Sequence, residues 1–313
     1  MVTMISQFIS VVAYVHNNAD LIDHFITTVM KECEKFKQCE IVFVDDCSTD
    51  DSVQKIKDYY KQNPADYIVS IIRLGRYHGM EMAMNAGRDM TIGDFVYEFD
   101  DLFIDFDSSL ILEVFNKCLE GNDIVTVSTD VPIRTTSKLF YKVFNNASHT
   151  DFEIGQESFR LLSRRGINRI ISMNAEIPYR KVIYLNSGLS TAKVQYKSKT
   201  GRRPARIWEK SERVDLAIDS FIYFTNIVQR VSLIVATLFG LLSIVTIVYT
   251  LVSRGIGYHI GMGWVSTMIF MAVGFTGLFA FMTLIIRYLS VVVDLIFKRQ
   301  KYLIADVEKI SSR

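Results

Sequence analysis

Over the first hundred residues, short apolar runs alternate with segments of helical periodicity. Residues 8–14, 40–44, 67–73 and 94–99 are rich in β-branched and aromatic side chains and predict strands. Residues 19–35, 51–62 and 79–91 space their apolar side chains three and four apart and predict helices. Strands that alternate with helices imply βαβ units and a mainly parallel sheet. Ligands on such sheets collect at the carboxyl ends of the strands. The polar clusters fall at those ends: His16, Asn17 and Asn18 after the first strand, Asp45 and Asp46 after the second, Asp100 and Asp101 after the fourth.

The pattern changes near the other end of the chain. No Asp, Glu, Lys or Arg occurs over 231–253, and after Arg254 none occurs over 255–286. A bilayer core about 30 Å thick takes about 20 apolar residues as helix. The two runs predict a transmembrane hairpin over 228–290, with spans at 231–253 and 260–286. Residues 206–227 predict an interfacial amphipathic helix, with Ile207, Val214, Ile218 and Phe221 on one face and Glu209, Lys210, Glu212 and Arg213 on much of the rest. Basic residues crowd before and after the hairpin, while Arg254 stands alone between the spans. Positive residues stay inside. The expected arrangement is a multi-pass inner-membrane protein with both termini and the soluble part in the cytoplasm. No signal peptide is expected, because residues 1–10 lack a basic start. The domains predicted are 1–205, a soluble α/β domain; 206–227, the interfacial helix; 228–290, the hairpin; and 291–313, a cytoplasmic tail.

Composition sharpens this division. The 313 residues are 50% apolar and 22% charged, with a formal net charge of +1. Those values exclude a disordered chain and a nucleic-acid binder that relies on gross positive charge. The mean hydropathy of +0.21 has its excess in the predicted hairpin. Four cysteines, Cys33, Cys39, Cys47 and Cys118, form no C-x-x-C pair and read as packing residues.

Two acidic clusters carry the candidate chemistry. Ser48, Thr49 and Asp50 suit the start of a helix. Asp45 and Asp46 need another reason, since like charges at a buried strand end repel. A ligand that donates hydrogen bonds, or a cation, supplies one. Asp100 and Asp101, with Glu98, Asp105 and Asp107 nearby, offer clustered oxygens for a hard divalent ion such as Mg2+ or Mn2+. No Walker loop and no G-x-G-x-x-G after the first strand is present, which disfavours P-loop enzymes and dinucleotide-dependent dehydrogenases.

Four segments in order carry a resemblance. Residues 10–18, SVVAYVHNN, resemble the opening strand of family-two glycosyltransferases with the GT-A fold. Residues 41–50, IVFVDDCSTD, resemble their nucleotide-binding V-D-D-x-S-x-D motif, with Cys47 where a glycine is usual. Residues 76–87 and then Gly93 and Asp94 resemble the helix and strand that lead to the metal motif. Residues 99–102, FDDL, stand where that family has its D-x-D, which is not intact here. Residues 134–145 and 159–165 are similar to segments of the polyprenyl-phosphate glycosyltransferases, some of which end in a two-helix membrane hairpin.

The resemblance implies inverting transfer of a hexose from a nucleotide sugar, with UDP-hexose first among donors, to a polyprenyl phosphate such as undecaprenyl phosphate. It implies Asp45, Asp46, Asn17 and Arg76 at the nucleotide, and Asp100 and Asp101 as catalytic acids. Asp100, Asp101 and Asp105 would hold Mg2+ or Mn2+, and Arg134, Arg164 and Arg165 the acceptor phosphate. A bilayer partner and a homo-oligomer, a tetramer by resemblance, follow from the same source. Two other readings stand beside it. One is transfer to the hydroxyl of a lipid-linked saccharide, with Asp151 or Glu157 as base; the other is a degenerate scaffold that has lost catalysis.

Overall fold

Four parallel strands form where the alternation predicts them: β1 (Ile5–Val15), β2 (Phe36–Asp45), β3 (Ile68–Leu74) and β4 (Phe95–Phe99). The helices between them are α1 (Ile22–Cys33), α2 (Ser52–Gln62) and α3 (Met80–Asp89). The computed structural model describes residues 4–131, 157–173, 180–200, 263–297 and 302–311, with isolated positions between 234 and 252.

Because side chains alternate across a strand, each strand feeds two cores. Val11, Ile41 and Phe43 pack with Phe25, Ile26 and Val29 of α1 in one. Val12, Val42 and Val44 pack with Ala83, Met84 and Ala86 of α3 in the other. Burial on both faces explains why these strands read as continuous apolar runs. Gly87 lets α3 lie close to the sheet: a Cβ there would meet Val12 and would sit 2.6 Å from Val44 Cγ2.

Beyond β4 come α4 (Ser109–Leu119), β5 (Ile124–Thr129), β6 (Phe159–Ser163), α5 (Arg164–Ser172), α6 (Arg180–Asn186) and β7 (Thr191–Tyr196). The eight-stranded sheet has the order β7-β5-β6-β4-β1-β2-β3-β8. β6 is antiparallel to both β4 and β5. The last strand, β8 (Ile304–Ser311), runs antiparallel along β3, so part of the expected tail belongs to this sheet.

The chain divides into two compact units, 1–216 with 300–313, and 217–299. The second contains α7 (Gly263–Phe297). Among the described residues, no helix is long and apolar enough to cross a membrane. This finding overturns the membrane hairpin over 228–290, and with it the bilayer and polyprenyl phosphate as partners and the multi-pass inner-membrane location. The amphipathic helix expected over 206–227 and most of 231–253 lie outside the described residues.

Candidate active site

The carboxyl ends of β1, β2 and β4 meet on one side of the sheet, and the sheet register sets what gathers there. Val15 of β1 pairs with Asp45 of β2, and Asp45 with Arg73 of β3. Asp46 follows at once and is fully buried. Its Oδ1 accepts the His78 N–H at 2.8 Å, and its Oδ2 accepts the Gly79 N–H at 2.8 Å and the Tyr14 hydroxyl at 3.3 Å. Its carbonyl oxygen accepts from His16 Nδ1 at 2.6 Å. Asp46 thus ties the segment before α3 to the end of β2. Asp45 accepts the Ser48 N–H on Oδ1 at 3.1 Å. Burial pushes both carboxyls above their ordinary range; the Ser48 hydroxyl and amide at Asp45, and the His78 and Gly79 amides at Asp46, only partly offset it.

Asn17 has φ 53° and Cys47 φ 57°, two left-handed residues at adjoining turns. Asn tolerates that region through local hydrogen bonding. The Asn17 Oδ1 accepts from the N–H of Thr49 at 2.8 Å, the Thr49 hydroxyl at 3.2 Å and the N–H of Asp50 at 3.2 Å. Asn17 therefore shapes the loop ahead of α2. Cys47 bears a side chain where glycine would be unstrained, and its thiol donates to the Leu74 carbonyl at 3.3 Å. Arg76 is exposed on the segment between β3 and α3, next to Tyr77, whose ring lies 4.9 Å from that of His16.

The end of β4 is different in kind. Glu98 is fully buried, and the β4–β6 register sets Arg160 directly opposite it. Arg160 and Arg180 are both fully buried. Arg160 donates to Glu98 at 3.1 Å, Asp100 at 2.6 Å and Glu157 at 3.2 Å. Arg180 donates to Glu81 at 2.8 Å, Glu98 at 2.8 Å and Asp100 at 2.7 Å. The Tyr184 hydroxyl, one turn along α6, donates to Glu98 at 2.9 Å and accepts from Arg88 at 2.9 Å. Burial and the Glu98 charge push Tyr184 up to about 12, which keeps it a donor. The Lys181–Glu157 pair at 3.8 Å and the Arg88–Asp89 pair at 3.5 Å extend the network, in which five acids face four bases. Burial alone would raise the Asp100 carboxyl, but Arg160 and Arg180 beside it hold it well below the usual carboxylate range. The stability this pairing supplies is present above the unfolded pKa and is lost only as pH falls through that lowered value.

These contacts test the expected metal set. Asp100 commits one oxygen to Arg160 and the other to Arg180. Asp105 commits its oxygens to the Tyr196 hydroxyl at 2.5 Å and the Ser198 hydroxyl at 2.6 Å. Among the described residues, no group of three or more His, Cys, Asp or Glu side chains could hold a metal ion. The trio Asp100, Asp101 and Asp105 does not fit a divalent cation here, because guanidinium and hydroxyl donors occupy two of its members. Asp101 is half-buried and accepts the Phe103 N–H at 3.0 Å.

The expected acceptor arginines are not brought to this end. Antiparallel β6 pairs Ser163 with Phe95, so Arg164 emerges at the start of β4, opposite Asp100. Arg164 donates to the Gly93 carbonyl at 2.9 Å and to the Thr91 carbonyl at 3.1 Å. Arg165 pairs with Asp123 at 2.5 Å and is largely exposed. Arg134 and Asp151 lie outside the described residues. Arg160 and Arg180 went unread in the sequence. A lone arginine in the buried strand FRLLS was the one available signal for Arg160, and Arg180 had none.

The sequence model described as glycosyl transferase family 2 matches residues 10–172. An uncharacterized glycosyltransferase of Synechocystis sp. is 25% identical over 243 residues, 75% of each chain. The bactoprenol glucosyl transferase of Shigella phage SfX is 32% identical over 200 residues, 60% of this chain and 63% of that protein, less than two thirds of its length. Among solved structures, glucosyl-3-phosphoglycerate synthase of Mycobacterium tuberculosis aligns with a TM-score of 0.50 at 14% identity, over 70% of this chain and 81% of that one. A complex of that enzyme with Mn2+, UDP and glucosyl-3-phosphoglycerate gives a TM-score of 0.48 at 14% identity, over 69% and 78% of the two chains.

Proposed function

The chain belongs to glycosyl transferase family 2, and from that premise we propose that its donor is a uridine-diphosphate hexose held across the ends of β1, β2 and β4. At the coarser level the chain is a GT-A glycosyltransferase that takes its sugar from a nucleotide donor. The observation that carries the finer reading is the pair Asp45 and Asp46 at the end of β2, with Asp46 clamping the segment that bears Arg76. A uracil ring and a ribose both present donors, and a carboxylate accepts them. Asp45 is the acid proposed to make that contact, since Asp46 is spent on the His78 and Gly79 amides. Arg76 supplies positive charge for the diphosphate.

The reaction proposed is a single displacement. An acceptor oxygen bonds to the anomeric carbon as the bond from that carbon to the diphosphate oxygen breaks. The nucleoside diphosphate leaves and the configuration inverts. Mg2+ or Mn2+ is the proposed cofactor, with Asp101 as its protein carboxylate; Mg2+ is commonly held by one or two carboxylates plus substrate phosphates. Bound there it would offset charge on the leaving group.

The raised carboxyl of Asp46 gives this reading a pH signature. Ionised Asp46 accepts both amides; protonated Asp46 turns one oxygen into a donor. The donor KM should therefore rise as pH falls through a range lying above the ordinary carboxylate value of about 4. KM for UDP-glucose measured across mildly acidic pH checks this. A KM that stays flat until the ordinary carboxylate range would remove both the Asp45 contact and the Asp46 clamp from donor binding.

A further inference from the structure

The C-terminal strand returns to the donor side of the sheet and meets it through backbone groups. Leu303, just ahead of β8, donates its N–H to His78 Nε2 at 3.1 Å. Its carbonyl accepts the Gly75 N–H at 2.8 Å, which continues the β3–β8 ladder by one step. Gly75 permits this approach, since a Cβ there would sit 3.1 Å from Leu303 Cδ2. Tyr302 donates its hydroxyl to Asp89 at the end of α3, at 2.9 Å. The segment thus grips residues 75–89 near both ends.

The partners fix the state of the His78 ring. A backbone N–H can only donate and a carbonyl can only accept. The ring must then be neutral, with Nδ1–H donating to the Arg76 carbonyl at 2.5 Å and Nε2 accepting from Leu303. The same residue gives its backbone N–H to Asp46 Oδ1. One histidine therefore joins three things: the buried acid at the end of β2, the backbone of Arg76, and a strand 225 positions further along the chain. Arg76 and Tyr77 lie between its anchor points.

We propose that His78 and the Tyr302–Leu303 backbone form a latch that positions residues 75–79 for donor binding, so that the C-terminal strand is part of the donor site. The inference rests on the donor site proposed above. His78 acts here as a positioning residue. It holds Arg76 and the two amides on Asp46 in place.

The test compares wild type with His78→Ala, His78→Gln and Leu303→Pro in the full chain. Gln carries an acceptor oxygen near the position of Nε2, and Pro removes the Leu303 N–H along with the leucine side chain. UDP affinity is read by calorimetry, hydrogen exchange by mass spectrometry over 75–79, and Tm by calorimetric scan. His78→Ala and Leu303→Pro should each weaken UDP binding about tenfold, the scale of one lost hydrogen bond. Exchange at the His78 and Gly79 amides should rise while Tm changes little, and His78→Gln should recover most of the affinity. Wild-type binding together with unchanged affinity and protection in His78→Ala would overturn the latch alone. So would equal loss in His78→Gln accompanied by a fall in Tm. A folded wild type that binds no UDP would overturn the donor site, and the latch with it.

Discussion

Glu98→Ala should destabilise the protein by about 3–5 kcal/mol, enough to leave much of it unfolded. Glu98 is fully buried at the end of β4. Its carboxylate accepts from Arg160, Arg180 and the Tyr184 hydroxyl. Both arginines are fully buried as well, so the alanine leaves two guanidinium groups short of a carboxylate partner inside the protein. The cost of a buried charge without its partner exceeds the modest net value of the pair itself. Replacing Glu120, which pairs with Lys117 on the surface, should change stability by no more than about 0.5 kcal/mol. Urea denaturation of the two variants reads the contrast directly. A Glu98→Ala midpoint matching that of the Glu120 variant would mean that the network does not bear on stability.

Asp100 and Asp101 are neighbours in sequence, and replacing them should fail in different ways. Asp100→Ala strips both Arg160 and Arg180 of a partner and should appear as loss of fold. Asp101→Ala removes a half-buried carboxylate that caps the Phe103 amide. It should keep Tm within a few degrees, yet lower sugar transfer by about 100-fold or more, the scale of losing one group that stabilises developing charge. Full turnover in a folded Asp101→Ala protein would take the acid out of the chemistry. Loss of Tm in both variants would mean that Asp101 is structural too.

How far the sequence could be read depended on how local each cause was. Strands β1 to β4 announce themselves because burial on both faces leaves uninterrupted apolar runs, and the Asp45–Asp46 pair stands out because it ends one of them. β8 was hidden for the opposite reason. IADVEKIS alternates charge with apolar residues, as an edge strand does, and its partner lies more than two hundred positions back. The arginine network joins residues up to 99 positions apart, and no local spacing encodes that. The position of Arg164 and Arg165 has the same root. Two adjacent arginines declare charge, but only the antiparallel direction of β6 decides which end of the sheet they reach. Cys47 adopts a left-handed turn at φ 57°, so the motif was legible in the letters and the strain at that turn was not.

A nucleotide-sugar donor bound at the end of β2 is the central claim made for this protein. Titrating the purified protein with UDP, with Mg2+ or Mn2+ present, tests that claim most directly. Saturable binding to wild type that is lost in a folded Asp45→Ala variant is the predicted result. A folded wild type that binds neither UDP nor any other nucleoside diphosphate would contradict it.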